Sequence, residues 1–214
     1  MQPQAEPDHG GGVDAAAARW GGARADWLDL STGINPAPYP LPPLPADCWT
    51  ALPDRAAMAR LLAAARQFWQ VPAGAEIVAA AGASALIARM PALCPADAVI
   101  AGPTYNEHAR AFRLAGLQVA DSGMAPVKVI VHPNNPDGRL WPLTEAGNRL
   151  TVIDESFCDV MPEASQIARA ADPGVVVLKS FGKFWGLAGL RLGFAIGRRE
   201  TLTGPAGHLA DLLG

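Results

Sequence analysis

Three short apolar runs in this chain are each followed at once by polar groups able to do chemistry. Val127 to Val131 gives way to His132-Pro133-Asn134-Asn135-Pro136-Asp137-Gly138. Leu150 to Ile153 ends in Asp154-Glu155-Ser156, and Val175 to Leu178 ends in Lys179-Ser180-Phe181-Gly182-Lys183. Short runs rich in β-branched residues suit strands buried on both faces of a mainly parallel sheet. In open α/β sheets, ligands sit just beyond the carboxyl ends of the strands. An amide, a carboxylate and an amine are therefore expected along one edge. Each has an ordinary reading too: Asp154 as a helix N-cap, Asn134 and Asn135 as turn formers. The coincidence of all three is what points to a site.

The set suits pyridoxal phosphate (PLP). That cofactor needs an amine for a Schiff base and a carboxylate that keeps its pyridine nitrogen protonated. It also needs a donor near the ring hydroxyl, and an anion site built from a helix start and an arginine. The chain has three lysines. Lys128 lies within a strand and Lys179 at a strand's end, whereas Lys183 lies beyond the strand, between Gly182 and Gly186, where a loop can present it. Arg191, set between Leu190 and Leu192, needs an anion partner if buried. Ser84 opens a helix, where capping and phosphate binding draw on the same free N–H groups.

Ser180-Phe181-Gly182-Lys183 followed by Gly189-Leu190-Arg191-Leu192-Gly193 resembles the Schiff-base motif of the fold-type-I aminotransferases. The resemblance implies that Lys183 carries PLP and is the catalytic residue, with Ser180 and Arg191 on its phosphate. It implies Asn135 at the ring hydroxyl, Asp154 at the pyridine nitrogen, Gly82-Ala83-Ser84 as the phosphate cup, and Tyr105 of Gly102-Pro103-Thr104-Tyr105 stacked on the ring. His9-Gly10-Gly11 and Asp29-Leu30-Ser31-Thr32-Gly33-Ile34-Asn35-Pro36 look like the branch of L-threonine-O-3-phosphate decarboxylases of cobalamin synthesis, cousins of the histidinol-phosphate aminotransferases. That likeness implies PLP-dependent decarboxylation of a small phosphorylated amino acid to (R)-1-amino-2-propanol phosphate. Substrate contacts would come from His9, Gly10, Gly33 and Asn135, in a cytoplasmic homodimer. Histidinol-phosphate-type amino transfer is the rival reaction. A non-catalytic PLP-binding remnant is the other alternative, because family chains continue into a C-terminal small domain that this chain is expected to lack. Three positions depart from the pattern. Phe157 and Leu52 stand where relatives carry tyrosines, and Gly33 where some carry an asparagine.

The elements that must position these groups follow from periodicity. Met58, Leu61, Leu62, Ala65, Phe68 and Trp69 recur at helical spacing, predicting an amphipathic helix over 54–69. Further helices are expected over Val13 to Trp20, from Ser84 to just before Pro91, and over Glu107 to Ala115, closed by Gly116. Trp27 to Leu30, Ala98 to Ala101 and Leu117 to Ala120 read as short strands. Six prolines between Asn35 and Pro45 exclude a helix or a central strand there, and predict an extended arm lying across the body or a partner. The fold class is α/β with a mainly parallel sheet, which the resemblance implies is a three-layer aminotransferase-type large domain. An arm is expected over 1–45, the PLP-binding domain over 46–197, and a tail without clear resemblance over 198–214. Only Arg139 to Arg149 separates two strand runs, short for a parallel crossover, so that link is either abbreviated or its strands are not neighbours.

Composition narrows the classes. Seventeen basic against 20 acidic residues, net −3, with no basic stripe, argues against nucleic acid. No apolar run approaches the ~18 residues of a membrane span, and the first residues lack the basic start and apolar centre of a signal peptide. Cys48, Cys94 and Cys158 match neither a metal spacing nor a disulfide framework, which suits a reducing compartment.

Overall fold

The structure is a computed structural model describing residues 10–142 and 147–213. Seven strands form one sheet: β1 (Glu76–Ala80), β2 (Ala98–Ile100), β3 (Val119–Ala120), β4 (Val127–Val131), β5 (Leu150–Asp154), β6 (Val175–Ser180) and β7 (Gly193–Gly197). Their spatial order is β1-β7-β6-β5-β4-β2-β3. All run parallel except β7, which is antiparallel to both of its neighbours. β5 is buried along its whole length, and Val152, Ile153, Val177 and Leu178 are fully buried. Each such side chain contributes about 1.5–3 kcal/mol relative to exposure.

One apolar layer holds α3 (Ala83–Ile87), α4 (Met90–Leu93) and α5 (Asn106–Leu114); the other holds α2 (Arg55–Phe68) and Trp69. Asp54 caps α2 by accepting from the Ala57 N–H at 2.6 Å. The Arg66 guanidinium closes the other end by donating to the carbonyls of Pro72 and Ala75. α5 buries His108 and Phe112, four residues apart on one face, and Gly116 leaves it at φ +79°. Beyond β7 the chain stays on this body through Leu202 and Leu209, both fully buried.

Most expected elements stand within a residue or two of the pattern, and α1 is Val13–Trp20. Several differ for physical reasons. Trp27 to Leu30 is no strand: it pairs with no strand among the described residues, and Leu28 and Leu30 are largely exposed. An Asx turn shapes it instead, Asp29 Oδ1 accepting from both the N–H and the Oγ of Ser31. Pro91 does not end a helix but sits in the first turn of α4, where its missing N–H costs nothing. β4 and β5 are direct parallel neighbours despite the short link. The pattern also missed β1 and β7. β7 begins and ends in glycine because side chains do not fit there. A Cβ on Gly193 would lie 2.5 Å from the Ala83 nitrogen, and one on Gly197 2.8 Å from the Val175 oxygen.

The segment 35–39 lies across the loop that follows β6. The Asn35 N–H donates to the Lys183 carbonyl (3.0 Å), Asn35 Nδ2 to the Phe184 carbonyl (2.9 Å), and the Tyr39 N–H to the Trp185 carbonyl (2.8 Å).

Candidate active site

Register decides which groups meet. Val131 pairs with Asp154, Asp154 with Leu178, Ser180 with Gly193, and Gly193 with Ala80. The carboxyl ends of β1, β4, β5 and β6 therefore lie level with the start of β7. Gly82, Ala83, Ser84, Asn135, Asp154, Ser156, Phe157, Ser180, Gly182, Lys183, Ala188, Arg191 and Leu192 all reach one edge, and they line a single cleft of about 200 Å³ with Tyr105, which follows β2. Lys183, Asp154, Arg191, Asn135, Ser180, Tyr105 and the Gly82-Ala83-Ser84 turn are all brought together there.

Asp154 is buried and rigidly held. Oδ2 accepts from His108 Nε2 at 2.7 Å, while Oδ1 accepts from the Ser156 N–H (2.9 Å) and Oγ (2.6 Å). Burial pushes the carboxyl's pKa up, but the His108 and Ser156 interactions outweigh it and hold the pKa below the ordinary carboxylate value. A fixed negative charge therefore faces the cleft. His108 is a functional residue that the sequence reading missed. In the sequence it is only a polar residue three after Tyr105, on the face that also carries Phe112.

Lys183 reaches in from the loop after β6, its Nζ 5.5 Å from the centre of the Phe157 ring. Partial burial lowers its pKa against the opposing pull of the Asp154 charge, which favours the unprotonated, nucleophilic amine. Tyr105 is half-buried on the cleft it shares with Ser84. Burial first, then the charges of Glu107 and Asp154, raise its phenol above the usual range. Asn134 fastens the neighbouring loops, accepting from Thr104 Oγ1 (2.7 Å) and donating to the Pro103 carbonyl (3.0 Å) and Asp137 (2.7 Å). This leaves Asn135 to face the cleft.

Arg191 is exposed at the rim. It adopts φ +51°, a left-handed conformation that non-glycine residues rarely hold and that is common at functional sites. Its guanidinium lies over Gly82, where a Cβ would come 2.8 Å from Nη2, and it has no carboxylate partner among the described residues. The first turn of α3 adds N–H groups without intrahelical partners. Together with Ser84 and Ser180 this is a cradle for an anion. Amine, ionised carboxylate, amide and anion cradle share one cleft, so the residues present fit PLP.

Of the expected substrate contacts, His9 lies outside the described residues. Gly10 is not on the cleft; it packs against Ser31, whose carbonyl would lie 2.1 Å from a Cβ there. Gly33 lines an outer recess shared with Lys183 and Phe157. A Cβ on it would stand 2.9 Å from the Phe157 ring. Phe157 lines the cleft with no hydroxyl to offer, and Leu52 is almost fully exposed.

The chain belongs to the aminotransferase class I and II family, whose profile matches residues 49–205. Among curated proteins it is 40% identical to a threonine-phosphate decarboxylase of Sinorhizobium sp over 225 residues, covering 96% of this chain and 66% of that protein. Among solved structures it resembles the histidinol-phosphate aminotransferase of Clostridium acetobutylicum, with TM-score 0.65 and 21% identity over 81% of this chain and 61% of the other. It also resembles that of Sinorhizobium meliloti in complex with pyridoxal-5'-phosphate, with TM-score 0.59 and 19% identity over 71% and 49%. These likenesses support the fold, and the chain spans about two thirds of the length of the Sinorhizobium relative.

Proposed function

We propose that the cleft binds PLP and serves the decarboxylation of L-threonine O-3-phosphate to (R)-1-amino-2-propanol phosphate. The observation that carries the proposal is the meeting of Lys183, Asp154 and Arg191 in one cleft. Similarity to the Sinorhizobium decarboxylase along nearly the whole chain supports the choice of reaction. When bound, PLP supplies an aldehyde that amines attack and a protonated ring that withdraws electrons from the α-carbon.

The protein's part is binding, orientation and charge. Arg191, Ser84, Ser180 and the first turn of α3 bind the phosphate. Asp154, held ionised by His108 and Ser156, keeps the ring nitrogen protonated. Asn135 would be the donor to the ring hydroxyl, alone, because Phe157 has no hydroxyl, and Tyr105 would pack against the ring. Lys183, whose pKa partial burial lowers, would be the amine that holds the aldehyde, and its Nζ would be the group placed to return a proton to the substrate carbon. The residues around the cleft would select decarboxylation over amino transfer by how they orient the substrate carboxylate. Gly33, on the recess it shares with Lys183, and Asn135 are assigned to the substrate side.

Purified chain mixed with PLP should develop a visible absorption band that Lys183→Ala abolishes, and should release CO₂ and the amine phosphate from threonine phosphate. A band that survives Lys183→Ala refutes the lysine assignment, and a band without CO₂ refutes the decarboxylase. The structural likeness to a histidinol-phosphate aminotransferase favours amino transfer as the second reading. Incubation with histidinol phosphate and a 2-oxo acid distinguishes the two.

The exposed Leu41, Leu44, Trp49 and Leu52 support a homodimer joined through this segment, checked by sedimentation. Three unpaired cysteines support a reducing, cytoplasmic setting. Among the described residues no helix is long and apolar enough to cross a membrane.

A further inference from the structure

On the α2 side of the sheet, away from the cleft, lies a buried polar cluster that the proposed chemistry does not use. Lys179 Nζ is 2.6 Å from Glu155 Oε2 and 3.5 Å from Asp159 Oδ1. Glu155 also accepts from Ser165 Oγ (2.7 Å) and from the Gln166 N–H. Lys179 and Glu155 are almost wholly buried, and the Asp159 side chain is 8% exposed. Burying three charges carries a heavy desolvation cost, and apolar residues of similar volume would often serve stability as well or better. The cluster therefore invites a role other than stability.

Its outer end suggests that role. Asp159 accepts two indole N–H groups, from Trp69 at 3.0 Å and from Trp185 at 2.8 Å. Trp69 belongs to the core. Trp185 stands two residues after Lys183, stacks on Phe181 (5.4 Å between centres, 17° between planes), and takes the edge of Tyr39 at 5.3 Å. Phe181 and Trp185 thus flank Lys183 on both sides in sequence, and their rings are fastened to each other and to the body. The loop crosses the sheet edge: Lys183 faces the cleft while Trp185 is held on the other side. We infer that Asp159, gripped by Lys179, is a positioning residue that acts through Trp185 to fix the loop presenting Lys183.

The inference rests on the assignment of Lys183 as the reacting amine, and its test is separable from cofactor binding. Trp185→Phe keeps an aromatic ring and removes the N–H. Trp69→Phe removes the other indole donor of the same carboxylate and is the matched control. In PLP-free protein, competitive acetylation of Lys183 against pH, read by mass spectrometry, reports how the amine is held. In wild type its midpoint should lie below the free-lysine value of about 10.4. Trp185→Phe should move the midpoint toward that value and speed hydrogen exchange of amides 181–187 about tenfold relative to those of β6, the loss expected for a hydrogen bond to a charged acceptor. Trp69→Phe should leave both where they were. An unmoved midpoint in Trp185→Phe, or equal shifts in the two variants, overturns the inference. Failure of wild type to take up PLP at Lys183 would instead defeat the cofactor reading, and the acetylation comparison would still decide the role of Asp159.

Discussion

Replacing His108 by leucine removes the one donor to Asp154 Oδ2, leaving that oxygen buried beside an alkyl chain. A hydrogen bond to a charged group is worth about 1.5–3 kcal/mol net. Domains of this size lose about 2–4 °C of Tm per kcal/mol, so the PLP-free variant should melt roughly 3–12 °C lower at pH 7. The acid side gives the sharper test. In wild type the Asp154 pKa lies below that of a free carboxyl. Its stabilisation is therefore in force above about pH 4 and is lost as the pH falls through the folded value. Without the histidine, burial, the largest influence, wins over the two Ser156 bonds and the folded pKa rises. Acid unfolding followed by tryptophan fluorescence should then begin at higher pH in His108→Leu. His108→Gln, which retains an N–H donor, should recover part of both losses. Equal melting temperatures and equal acid midpoints for wild type and His108→Leu would refute the claim that this contact controls the carboxylate.

Three other outcomes are expected. Arg191→Gln should raise the PLP dissociation constant about 10–100-fold by equilibrium dialysis, because it removes charge-assisted bonds to the phosphate while leaving an exposed side chain that the fold does not need. Gly82→Ala should weaken PLP binding in the same assay, since the new methyl group meets the Arg191 guanidinium and the backbone there stands at φ +87°. With a disulfide reagent at pH 8, Cys48 should react fast because it is exposed. Cys158 should react only on unfolding, its thiol pushed up to about 12 by burial and then by the charge of Glu155.

The central strands and the site were legible because both obey local rules. Continuous β-branched runs marked β4, β5 and β6, and the polar groups after them fell where an open sheet exposes its ends. β1 and β7 escaped because their identity is tertiary. β7 opens and closes on glycines that matter only through close approach to Ala83 and Val175, and β1 carries alanines at its end. Trp27 to Leu30 misled in the opposite direction: its residues favour a strand, but a strand needs a neighbour. His108 and Asp159 were hidden for a third reason. Each is an ordinary polar residue in the sequence and gains meaning only from what lies opposite it, Asp154 in one case and two indoles in the other.

Because β7 runs against its neighbours, the chain leaves β6 at Ser180 and returns at Gly193 on the adjacent rung. The amine and the guanidinium thus sit on a single excursion whose stems are clamped side by side. Their spacing is set like the jaws of a caliper, by the length of that loop and not by how two distant segments happen to dock. Inserting or deleting one residue between 184 and 190 would spoil the reach to both ends of a ligand at once, whereas the same change in the link between β4 and β5 would leave that span intact.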